Sequence, residues 1–143
     1  MPDTRTDTAP PSQDWRVIHT YTRAEALADG VLVDVTSTAK EAGFKIPTAV
    51  TASVFNECIE WTEEDARQCR TYQDQAGRLW DVLFLAAAKA RSLRGRRQNQ
   101  LLYEIHVVPR PRHDHPRLRT LKLVIGPGDD AEPVATIMLS NED

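Results

Sequence analysis

The spacing of apolar and polar positions divides the chain into two parts. From Leu101 onward, apolar residues fall in short extended runs separated by turn residues. Three strands are expected there, at 101–108, 118–125 and 134–139, joined by turn-rich connections at 109–117 and 126–133. Before Leu101 the pattern is mostly helical. Thr22-Arg-Ala-Glu25 is a capping box, so a short helix is expected to end at Asp29-Gly30. Val31 to Val35 reads as a short extended segment, and Thr36 as a second N-cap, its helix ending at Gly43. Thr48 is expected to open a longer helix to about Trp61, because Val50, Val54, Cys58 and Trp61 recur at helical spacing, widened by Phe55 and Ile59. Thr62-Glu-Glu-Asp65 starts another helix, which Gly77 is expected to break. Residues 78–93 are apolar over much of a helix circumference and so predict a largely buried helix. Helices followed by a β-meander predict an α+β fold, with the helices packed on one face of a small antiparallel sheet.

The first 14 residues are rich in Pro, Thr, Ser and Asp and read as a disordered tail, leaving 15–143 as one domain. Trp15 to Tyr21 alternates loosely, as a short strand or an arm laid on the core would. Trp15 with Tyr21, and Trp80 with Phe84, are expected to pack in or over the sheet. The composition is that of a globular domain: 41% hydrophobic and 27% charged. A formal charge of −3 argues against indiscriminate nucleic-acid binding by the whole surface. No apolar run approaches the roughly 20 residues that span a bilayer, and the N-terminal stretch has no hydrophobic segment of a secretion signal. Two cysteines make no disulfide framework, and a cytoplasmic protein with reduced thiols is expected.

Charge clustering supplies the candidate sites. Arg91, Arg94, Arg96 and Arg97 lie where the long helix runs into a loop, beside Lys89. Arg110, Arg112, Arg117 and Arg119 surround the first strand connection. If the two groups share a face, they form a basic surface for an acidic protein groove or for nucleic acid. Without aromatics between the arginines, single-strand stacking is disfavoured. Asp129, Asp130 and Glu132, in a turn that is neither a P-loop nor an EF-hand loop, make a possible acidic partner surface. His113 and His115 flank Asp114, but a zinc site would need further ligands, so no metal and no cofactor is expected. Glu57, Glu60, Glu63, Glu64 and Asp65 read as a solvated helix junction. Cys58 lies on the apolar stripe and reads as a small buried hydrophobe. Asp34 and Asp81 interrupt apolar runs, where a buried carboxylate would need an arginine partner. No catalytic residue is assigned.

Three segments, Thr20 to Val35, Gly77 to Leu83 and Leu121 to Asp130, resemble a family of small bacterial proteins of unknown function, over about Ile18 to Asp143. The resemblance carries no catalytic residues. It implies an accessory gene of a plasmid, phage or integrated element, a class that includes antirestriction and anti-CRISPR inhibitors of host defence. The expectation is therefore a non-enzymatic protein whose partner is a host protein or complex. The alternatives are a weak nucleic-acid-binding accessory factor and a small metal-dependent enzyme. No membrane partner is expected.

Overall fold

The computed structural model describes residues 21–69, 73–93, 99–110 and 115–142. Five strands form one sheet: β1 (Leu32–Asp34), β2 (Thr48–Thr51), β3 (Gln100–Val107), β4 (Arg117–Pro127) and β5 (Pro133–Leu139), in the order β1-β2-β5-β4-β3. The expected meander is present as β3, β4 and β5, all antiparallel. The last strand is also the central one, because β2 pairs with its other side in parallel and brings β1 with it. Register sets Leu101, Leu123, Ile137, Val50 and Val33 opposite one another in turn, an apolar row across all five strands. Leu123, Ile137 and Val50 are buried, and Leu83, Val82 and Ala86 of the long helix belong to the same core. The fold is α+β.

The short helices are defined by their caps. Helix α1 (Arg23–Ala28) begins with the Thr22–Glu25 capping box. Helix α2 (Thr36–Ala42) ends at Gly43, whose φ of 118° lies in the left-handed region and suits a residue without Cβ. Thr36 is the first helical residue and not the N-cap; its hydroxyl bonds the Asp34 carboxylate and the Thr48 backbone, joining the end of β1 to the start of β2. Helix α4 (Glu63–Gln68) has the Thr62–Asp65 capping box. Helix α5 (Gln75–Ser92) packs against β3, where the Tyr103 hydroxyl donates to the Val82 carbonyl at 3.0 Å.

Four further expectations are corrected. Thr48 opens no helix: residues 48–51 form β2, and Thr51 then caps a single turn, α3 (Ala52–Val54), that widens into a π-helical turn at Phe55–Ile59. Val50, Val54, Cys58 and Trp61 are all buried, but they reach the core from a strand, a helical turn, the π turn and the segment after it. Gly77 breaks nothing. Asp74 caps α5 by accepting from the Gly77 N–H at 2.7 Å, and a Cβ at 77 would lie only 2.8 Å from that oxygen. Trp80 and Phe84 stack on each other at 5.8 Å on the exterior of α5, 37% and 44% exposed, and are not core. Asp34 and Asp81 are exposed, with no arginine partner among the described residues. Trp15 and the tail lie outside the described residues, as does residue 20.

Candidate functional site

The π-helical turn positions the site. Its widened loop, closed by the Glu60 N–H donating to the Phe55 carbonyl at 2.8 Å, turns the chain beneath the β3–β4 connection. Such turns interrupt regular helix hydrogen bonding and recur at functional positions. On one side of it lies Arg78, in the first turn of α5. Only 5% of this residue is exposed. Its Nε donates to the Ile59 carbonyl at 3.1 Å, and its Nη1 donates to the Val108 carbonyl at 3.2 Å and to Gln73 Oε1 at 3.1 Å. Its guanidinium carbon stands 4.7 Å over the Trp61 ring. Burial lowers its pKa, yet an arginine keeps its charge. Arg78 thereby fastens the helix, the π turn and the end of β3 together.

On the other side the surface is open. A cleft of about 390 Å³ has Val107 and Pro109 in its lining, with Asn56, Glu57, Arg110, Arg117 and Arg119. Arg119 bonds the Glu57 carboxylate, and both partners are nearly half exposed. Arg110 Nε meets Asp65 Oδ2 at 2.5 Å and its Nη1 meets Glu60 Oε1 at 3.1 Å. Asp65 is buried, and the same carboxylate accepts from the Thr62 backbone N–H at 2.8 Å. It therefore serves as helix cap and ion-pair partner at once. The acids read as a solvated junction are thus distributed: Glu57, Glu60 and Asp65 hold the cleft arginines, Glu64 pairs with its exposed neighbour Arg67, and Glu63 is exposed.

Of the arginines singled out from sequence, Arg110, Arg117 and Arg119 come together at this cleft. Arg91 does not join them. It lies at the far end of α5, beside Gly43, about 20 Å along the helix from Arg78. Arg94, Arg96, Arg97, Arg112 and His113 lie outside the described residues, and His115 is exposed. Among the described residues, no group of three His, Cys, Asp or Glu side chains could hold a metal ion. Cys58 is buried as expected, and burial pushes its thiol up to about 11, so it is protonated and inert near neutrality. No helix among the described residues is long and apolar enough to cross a membrane.

The acidic turn is knit into the fold. The Asp129 carboxylate accepts from the backbone N–H groups of Arg23 at 2.8 Å and Ala24 at 3.0 Å, closing the open end of α1 from across the sequence. These two bonds hold its pKa below the usual carboxylate range. Glu132 folds back to accept from the Asp130 N–H at 2.9 Å. Sequence reading missed Arg78, although a signal existed: a cation in the first turn of an apolar helix sits at the unfavourable end of the dipole, and so implies acceptors elsewhere.

Fold and site together define an α+β domain with an open, mixed-charge cleft beside the β3–β4 connection, held from behind by a buried arginine. The chain belongs to a family of unknown function, DUF6573, which matches residues 13–143. No curated protein and no solved structure matches it.

Proposed function

We propose that the protein is a non-enzymatic binding protein that holds another protein at the Arg110–Arg117–Arg119 cleft. The observation that carries this reading is the interleaving of those arginines with Glu57, Glu60 and Asp65 around Val107 and Pro109. Partly exposed ion pairs can exchange one partner for another, and alternating charges suit the polar rim of a protein interface. A phosphate backbone would meet the carboxylates along with the arginines, which disfavours the nucleic-acid alternative. The inert Cys58 thiol gives no support to covalent chemistry. The family resemblance extends the proposal to an accessory factor of a mobile element, its partner a host complex and its effect inhibition of defence, of the anti-CRISPR or antirestriction kind.

The test compares the full chain with an Arg117→Glu/Arg119→Glu variant in capture from native bacterial lysate, with and without nuclease. A nuclease-resistant, near-stoichiometric protein held by the wild type and lost by the folded variant is the expected result. Equal capture by both removes the cleft from the interface. Recovery of nucleic acid alone, steeply weakened by salt, replaces the proposal with the nucleic-acid reading.

A further inference from the structure

The longest open edge of the sheet is β3. The Asn99 carbonyl accepts from Ile125 N–H at 2.7 Å. In an antiparallel pair, residues facing the partner strand alternate with residues facing away. Asn99, Leu101, Tyr103, Ile105 and Val107 therefore direct their backbone groups to β4. Those of Gln100, Leu102, Glu104 and His106 point outward, and among the described residues no strand lies on that side. An edge of eight residues is a template for another strand. A groove of about 600 Å³ runs beside it, lined by Leu85 and Lys89 of α5 and by Leu102, Tyr103 and Glu104 of β3. Farther along the same strand, Asp81 lies near Ile105 and His106. Asp81, Leu85 and Lys89 are spaced by four and so form one stripe of α5. Leu85 is 37% exposed and Leu102 52% exposed. Asp81 and Lys89 join no ion pair among the described residues.

We infer that this face binds a second copy of the chain, with β3 pairing antiparallel to its counterpart across a twofold axis at Tyr103 and Leu85. The stripe is self-complementary about that axis. Asp81 of each copy meets Lys89 of the other, and the two Leu85 side chains meet between them. On the strand, the same axis sets Glu104 against Leu102 and His106 against Gln100. Moving the axis by one residue to Glu104 would oppose two identical charges, which is destabilising. The pairing is isologous and closes the open edge of both sheets. It is independent of the cleft, whose lining takes only Val107 from β3 and nothing from α5.

Sedimentation analysis of the full chain over a wide concentration range tests the inference. A dimer is expected. Asp81→Lys and Lys89→Asp should each weaken it by about tenfold or more, because each change replaces two attractive contacts with two repulsive ones. The double variant Asp81→Lys/Lys89→Asp should restore it, while circular dichroism shows all forms equally folded. A wild-type monomer throughout the range overturns the inference. So does a dimer that ignores both single changes, or one that the double change fails to recover.

Discussion

Arg78 and Arg119 grip the same π-helical turn from opposite sides, and what each one bonds separates scaffold from surface. Arg78 is buried and donates to main-chain carbonyls, those of Ile59 and Val108. Arg119 is on the cleft rim, and its charged partner is the Glu57 side chain, as exposed as itself. Buried carbonyls cannot find water if their donor leaves, so the first arrangement is fixed by the cost of losing it. A rim carboxylate returns to solvent at little cost, so the second can be surrendered to a partner. Arg110 stands between the two, with its pairs to half-buried Glu60 and buried Asp65.

The largest effect is expected at Arg78. Arg78→Ala strands two buried carbonyls and removes the contact over Trp61, and it should lower the unfolding free energy by about 3 kcal/mol. Arg78→Met fills similar space without donors and should recover only part of this. Urea denaturation of the two variants checks both values. A loss below about 1 kcal/mol for Arg78→Ala would put Arg78 with ordinary surface side chains and dissolve the contrast with Arg119.

The scaffold was more legible than the site, and particular residues show why. Strands β3 to β5 and the helix over 78–93 have long periodic patterns, and α1 and α4 have capping boxes that fix their starts. The segment from Thr48 failed because a short interior strand buries every residue from Thr48 to Val50. An apolar run of that kind carries no period of its own. Its continuation at Val54 and Cys58 then supplied a false helical spacing. Gly77 misled because its meaning depends on Asp74, which approaches where a side chain would stand. The cleft unites Glu57 with Arg119 and Asp65 with Arg110, pairs 62 and 45 residues apart. Charge runs show such residues, but only the fold chooses their partners.

A second test uses the buried thiol of the same turn. Burial raises the Cys58 pKa to about 11, while an unfolded thiol titrates near about 8.5. Below that value both states hold the proton and the contribution to stability is fully present. As pH rises through the interval, the unfolded chain loses its proton first and the folded state is disfavoured. The loss across the whole interval should total about 3 kcal/mol. Buried Tyr103, also raised by burial, adds to it in the same direction at higher pH. Stability measured from about pH 8 to about pH 10.5 should fall more steeply for the wild type than for Cys58→Ala, whatever the constant cavity cost of that change. Parallel slopes would mean that water reaches the thiol, and with it the buried side of the turn.

The smallest effect carries the most about function. Arg119→Ala should change the unfolding free energy by no more than about 0.5 kcal/mol, with the difference vanishing at high salt. Arg110→Ala should cost more, about 1–2 kcal/mol, because it takes a guanidinium donor away from the buried Asp65 carboxylate. Asp65 still caps α4 through Thr62, which limits that loss. The order Arg78, Arg110, Arg119 then follows the burial of the groups each arginine holds. A rim pair with little share in stability is free to trade partners, which is what the proposed cleft requires. Should Arg119→Ala cost as much as Arg78→Ala, both sides of the turn would be scaffold, and the binding site would have to be sought elsewhere on the surface.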